Sequence, residues 1–198
     1  MSDIVVQDEI EPTSLGVDNR KLVIWTFIAS EVMFFTGLIV VYMVMRGRSI
    51  TGPYAAQVLS VPLVAINTFV LLASSFTMVT ALSAIQQNDV RGFKRWLTAT
   101  AILGLLFLGG QAFEFISLYN EGATLSSNMF GATFFTLTGF HGMHVFVGVL
   151  WIAFVLARAS RGGVTQANHL AVELVGLYWH FVDIVWIIIF TVVYLLRA

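Results

Sequence analysis

A chain of 198 residues that is 58% hydrophobic and only 11% charged carries less than half the roughly 25% charge of an ordinary soluble domain, and so reads as a protein dissolved in lipid. Its net charge of −1 offers no basic face to nucleic acid. The absence of cysteine excludes disulfides, cysteine-ligated iron–sulfur clusters, a two-thiolate copper centre and any thiol nucleophile.

The chain opens on a polar, acidic stretch with Asp3, Asp8, Glu9, Glu11 and Asp18. Residues 1–20 are expected to form an exposed, partly disordered tail. A secretory leader needs a basic start and a short apolar core, and neither precedes Arg20, so the first apolar run is expected to stay as a membrane anchor. About 20 apolar residues cross a bilayer. Five runs meet that requirement, near 21–45, 62–86, 96–119, 130–158 and 171–196. The expected fold is an all-α membrane protein: a single transmembrane domain over 21–198, a bundle of five helices with no second domain and no internal repeat.

Orientation is read from Lys and Arg in the connections. With five spans, Arg20, Lys21, Arg91, Lys94, Arg95, Arg158 and Arg161 share one side, and Arg46, Arg48 and Arg197 the other, seven against three. The N-terminus is therefore expected in the cytoplasm and the C-terminus on the periplasmic side. Trp25 and Trp96 fall at the inner boundary and Tyr42, Tyr119 and Tyr194 near the outer one, where aromatic residues anchor spans. Pro62 suits the first turn of the second helix. Gly104, Gly109 and Gly110 in the third run, and Gly131, Gly139, Gly142 and Gly148 in the fourth, permit close backbone approach.

Ionisable residues inside these runs are the functional signal, since burying them in a bilayer is costly. At 1.5 Å per residue, Glu31 lies about 15 Å beyond Lys21, near the midplane. His141, His144, His180 and Asp183 fall at similar depth, Glu114 further toward the outer face and Glu173 near the inner end of the last helix. His141 and His144, like His180 and Asp183, are three residues apart and share a helix face. Three readings follow: a metal or haem site, a proton path or transport site, and a structural framework that ties helices to one another and to a partner. A di-metal carboxylate bundle wants Glu-x-x-His on two helices, and neither Glu114 nor Glu173 has a histidine three residues on; a bis-histidine haem would have to draw on His141 or His144 with His180. A serine hydrolase built on Ser74, Ser75 and His180 lacks a glycine-flanked serine, and no phosphate loop or dinucleotide fingerprint is present. The structural reading leads.

Several segments resemble one family. Tyr178-Trp179-His180-Phe181-Val182-Asp183-Ile184-Val185-Trp186 resembles the last-helix signature of cytochrome c oxidase subunit III, and Gly139-Phe140-His141-Gly142-Met143-His144-Val145 the signature before it. Ser30-Glu31-Val32-Met33-Phe34-Phe35, Asn67-Thr68 with Ser74-Ser75, and Gly110-Gln111-Ala112-Phe113-Glu114-Phe115 resemble the signatures of the three earlier helices, and Glu173 matches as well. They follow in the family's order, one set per helix. Longer members have two further N-terminal helices that enclose a lipid-filled cleft; this sequence resembles the shorter bacterial form.

The resemblance implies an accessory subunit of a haem–copper terminal oxidase in the bacterial plasma membrane. Such a subunit binds no haem or copper itself, those lying in subunits I and II. It packs on subunit I, stabilises the complex and supports proton uptake, with further subunits, a respiratory supercomplex, membrane lipids and bound phospholipid as the other implied partners. Glu31, Glu114, His141, His144, Glu173, His180 and Asp183 would be its buried polar framework, with no catalytic role. The quinol-oxidase branch tends to carry Asp in place of Glu31 and to lack Glu173, which favours the cytochrome c branch. A nitric oxide reductase accessory protein and, in a different class, a free-standing proton-coupled transporter are the remaining rivals.

Overall fold

The computed structural model of the chain describes residues 18–49 and 60–196; residues 1–17 of the expected tail, and Arg197 among the outer cations, lie outside them. The described residues form five α-helices and no strand: α1 Asn19–Met45, α2 Val61–Gln86, α3 Val90–Asn120, α4 Met129–Ser160 and α5 Leu170–Phe190, the last running into a π-helical turn, Thr191–Leu195. All five are long and apolar enough to cross a membrane, so the five-span helical bundle read from the sequence is what forms.

Local chemistry sets the helix ends. Asp18, Asp89 and Asn128 each stand at an N-cap and accept from a backbone N–H of the first turn, those of Arg20 (2.7 Å), Gly92 (2.9 Å) and Gly131 (2.8 Å), satisfying donors the helix cannot. The cap at Asp89 starts α3 ahead of its apolar run, at Val90. Its 31 residues make a rod of about 46 Å, longer than the roughly 30 Å hydrocarbon layer, so the end with Arg91, Lys94 and Arg95 has length to spare for water. Three helices stop alike. Asn88, Gly122 and Gly162 take φ of 62°, 84° and 77°, and the next residue's N–H returns to a carbonyl one turn back: Asp89 to Ala84 and Ala123 to Leu118 at 2.9 Å, Gly163 to Arg158 at 3.0 Å. This is the Schellman arrangement, in which a left-handed residue lets the last carbonyls be used.

The bundle is organised on α5. Over its most apolar stretch 56% of α5 is buried, against 11% of α1, so α5 is the hub and α1 the outermost member. α2 packs on α3, α3 on α4 and α4 on α1, while α5 lies against α1, α2 and α4. Close approach is real at some of the glycines and not at others. A Cβ on Gly104 would fall 2.6 Å from Trp179 Cη2, and one on Gly148 would fall 2.9 Å from the same indole at Cε3. Among the described residues Gly109 and Gly139 have no neighbour within 4 Å of an added Cβ, because they lie on outward faces of their helices. Two of the expected aromatic anchors also turn inward. Tyr42 and Tyr194 are 2% and 1% exposed, whereas Tyr119 is 68% exposed; in Tyr194 the reason is a buried carboxyl partner, described next.

Candidate functional site: polar bonds between the helices

α5 is tied to each of the other four helices by a polar side chain. Toward α2, Trp179 Nε1 donates to Ser74 Oγ and Trp186 Nε1 to Thr68 Oγ1, both at 2.9 Å, and Ser75 Oγ lies 3.1 Å from His180 Nδ1. The two helices are antiparallel, so a step of seven residues along α5 matches a step of six back along α2. Toward α4, the Tyr178 hydroxyl donates to the His144 carbonyl at 2.9 Å. Toward α3, the Tyr194 hydroxyl donates to Glu114 Oε2 at 3.0 Å. Toward α1, Glu173 Oε2 meets the Lys21 ammonium. The outer helices are joined in the same manner: Asn67 Nδ2 to the Phe107 carbonyl at 3.0 Å, Thr77 with Thr100 at 2.9 Å, and Gln111 Nε2 to the Thr138 carbonyl at 2.7 Å. Lipid offers no competing water, and each such bond is worth about 1 kcal/mol; their value lies in fixing which faces meet.

The seven ionisable residues singled out from the sequence fall into separate contacts. Glu31 on α1 and His144 on α4 form a pair, Oε2 to Nε2, 3.2 Å apart. His144 Nδ1 lies 2.7 Å from the Phe140 carbonyl, which can only accept, so Nδ1 carries a hydrogen. The contact between His144 Nε2 and Glu31 therefore holds one proton, as imidazolium with carboxylate or as neutral imidazole with carboxylic acid. Glu173 sits at the start of α5, where a negative charge complements the helix dipole. Besides Lys21 it meets His169, Nε2 to Oε1 at 2.9 Å, while His169 Nδ1 is 2.6 Å from the Gln166 carbonyl. Glu114 is bonded to Tyr194 through Oε2, and its Oε1 is buried without a hydrogen bond among the described residues. The π-helical turn that ends α5 carries Tyr194; such turns shift the register of the side chains they hold. His180 and Asp183 lie on the α2-facing side of α5. Ser75 faces both, and among the described residues Asp183 Oδ1 is buried without a hydrogen bond.

His141 stands apart. It is 0% exposed, and among the described residues neither ring nitrogen has a hydrogen-bond partner. It stacks on Trp186 at 4.8 Å between centroids and meets the edges of Phe107 and Phe35 at 5.8 and 6.4 Å. An imidazole held only by rings acts as a flat aromatic. A buried polar group without a partner costs stability that an apolar group of like shape does not. His141→Phe is therefore expected to leave unfolding in detergent unchanged or shifted to greater stability, whereas His141→Ala should lower it by about 2–4 kcal/mol through the cavity left beside Trp186. Denaturant titration followed by tryptophan fluorescence checks both.

Among the described residues no three His, Asp or Glu side chains converge as a metal-binding group. The polar partners that reasoning from charge alone passed over are Thr68, Tyr178, Trp179, Trp186 and Tyr194. The signal for them is present: Trp179 and Trp186 are seven residues apart on one helix, and buried indoles need an acceptor.

Comparison with known proteins gives these contacts a setting. The family model described as cytochrome c oxidase subunit III matches residues 12–197. The chain belongs to the cytochrome c oxidase subunit III family. It is similar to cytochrome c oxidase subunit 3 of Thermostichus vulcanus, 39% identical over 95% of this chain and 96% of that one. It is also similar to cytochrome c oxidase subunit 3 of Bacillus sp. PS3, 36% identical over 90% and 86%. Quinol oxidase subunit 3 of Bacillus subtilis is 38% identical over 87% and 84%. As a subunit III, the chain is a multi-pass membrane component of an oxidase, accessory to the subunits that complete the complex. The bonds centred on α5 join this subunit III helix to helix.

Proposed function

We propose that this chain is the third subunit of a bacterial haem–copper cytochrome c oxidase, seated in the plasma membrane against subunits I and II, which would hold the haem and copper. Its N-terminal end faces the cytoplasm. Its work is mechanical and protonic: it braces the large subunit through a rigid helical wall and keeps ionisable side chains within the membrane, in support of proton uptake. The reading is supported by family membership over nearly the whole chain, joined to a bundle whose polar side chains are largely spent on each other, helix to helix. Seven inner cations against three outer ones support the orientation. Glu31 and Glu173 favour the cytochrome c branch over the quinol branch; both kinds of relative are about equally similar in sequence.

Purification of the tagged chain from its native membrane in mild detergent, with mass spectrometry of the chains that accompany it and a haem spectrum, tests the proposal. A co-purifying large subunit with haem absorption is expected. A chain recovered by itself, active in liposomes as a transporter, would overturn it.

The pairing of Glu31 with His144 carries its own expectation. In Glu31→Gln the amide nitrogen donates to His144 Nε2 while Nδ1 still donates to the Phe140 carbonyl, so the contact survives without the carboxyl. Initial oxygen consumption of the complex is expected to stay within about twofold of wild type, a barrier change under about 0.5 kcal/mol. An abolished first turnover would instead make Glu31 an obligatory proton carrier.

A further inference from the structure

α1 and α2 barely meet, and the face of α5 between them is open: Ile184, Ile187 and Ile188 are 58%, 42% and 45% exposed. Between α1 and α5 this opening deepens into a groove of about 460 Å³ whose walls include Trp25, Phe35, Leu177, Phe181 and Ile184. One ionisable side chain lines it, His180. The depth of His180, ten residues beyond the start of α5 at Leu170, is about 15 Å, the middle of the hydrocarbon. Its Nδ1 is engaged by Ser75 of α2, and among the described residues Nε2 has no hydrogen-bond partner. The Thr36 hydroxyl is the other small polar group on its wall, and an apolar, aromatic-walled space of several hundred cubic ångströms with a few placed polar groups is the form of a small-molecule site.

We propose that this groove binds a prenylated quinone, with the ring against His180 and the tail running out into lipid along α1 and α5. Acyl chains present only methylenes at this depth and would leave Nε2 unsatisfied, at the cost of an unpaired polar group in hydrocarbon. A quinone brings a ring oxygen to that depth on an apolar body. The Ser75–His180 pair suits both of its redox states. When the Ser75 hydroxyl donates to Nδ1, the hydrogen sits on Nε2 and is donated to a quinone carbonyl. When Nδ1–H donates to Ser75 Oγ, Nε2 accepts from a quinol hydroxyl. Binding alone is proposed, with no electron transfer at the groove, so the inference does not depend on which donor feeds the complex.

Photolabelling of the purified complex with a short-tailed azido-quinone, followed by peptide mass spectrometry, tests it. Label is expected on peptides from α1 and α5 and is removed by excess unlabelled short-chain quinone. His180→Phe keeps the ring and deletes Nε2, and is expected to lower the competable labelling about tenfold, the equivalent of about 1.4 kcal/mol. Ile184→Trp fills the groove from an exposed position and is expected to lower it at least as far. Label absent from α1 and α5, or insensitive to competitor, overturns the proposal and assigns the groove to an acyl chain or to a helix of another subunit. Equal labelling of wild type and His180→Phe also overturns it, whether or not the Ile184→Trp complex assembles.

Discussion

Gly104→Leu is expected to cost this bundle about 3 kcal/mol or more, because the side chain it collides with has nowhere to go. Trp179 is 1% exposed. Its ring is bounded by Gly104 of α3 on one side and Gly148 of α4 on another, and its Nε1 is held by Ser74 of α2. Even the first added carbon at residue 104 would stand 2.6 Å from the indole and 2.9 Å from Val149 Cγ2, well inside van der Waals contact. Overfilling a packed core typically costs about 1–3 kcal/mol and occasionally more. Here the displaced indole would also lose its acceptor, leaving a polar N–H without a partner. The same argument holds for Gly148→Leu, which meets Trp179 and Tyr178 together. Gly109→Ala and Gly139→Ala are the controls. With no described residue within 4 Å of either added Cβ, they gain helix propensity of up to about 1 kcal/mol. Titration with dodecyl sulfate in mixed micelles, with the helical signal or tryptophan fluorescence as readout, should separate the two classes. Equal midpoints for Gly104→Leu and Gly109→Ala would show that Trp179 is not wedged.

Trp186→Ala is expected to lower stability by about 3–5 kcal/mol, the range for deleting a large buried aromatic. Trp186 is 1% exposed and joins three helices besides its own surroundings on α5: it stacks on His141 of α4, meets Phe107 of α3 edge-on at 4.8 Å, and donates to Thr68 of α2. It also faces Tyr194, 6.4 Å away between centroids, so the cavity would reach toward the Tyr194–Glu114 bond. Trp186→Phe retains most of the filling and deletes the donor; its expected cost is nearer about 1–2 kcal/mol, part of it the Thr68 bond. The difference between the two variants measures packing against hydrogen bonding at one position. A loss in Trp186→Phe as large as in Trp186→Ala would mean that the bond to Thr68, rather than the filled volume, holds Trp186 in place.

Both expectations rest on the same feature. In lipid there is no water to expel from between helices, so association relies on close packing and on polar groups finding each other. α5 concentrates both. The Trp179 indole fits where Gly104 and Gly148 leave room, and the polar atoms of α5 reach a partner on every other helix. This is also why the ionisable residues at one depth need not form one cluster. Glu31 and His144 join α1 to α4, His180 lies against Ser75 of α2, and His141 is enclosed by rings. Equal depth is a statement about height along the membrane normal. It says nothing about angle around the bundle.

That distinction divides what the amino-acid order determined from what only the packed chain decided. Composition and run length were enough for five membrane helices, because twenty apolar residues have no other stable state in a bilayer. The same order marked Glu114, His141 and Asp183 as buried, since few charges interrupt those runs. It also carried the motifs that place the chain in its family. It did not show that Tyr42 and Tyr194 turn inward. For Tyr194 that depends on the π-helical turn ending α5 and on a carboxyl contributed by α3, 80 residues earlier in the chain. Nor did it show which imidazole is bonded and which is sealed among rings. A helix fixes the direction of a side chain only relative to its own axis. Which neighbour stands in that direction follows from the rotation of each helix against the others, and tertiary packing alone sets that rotation.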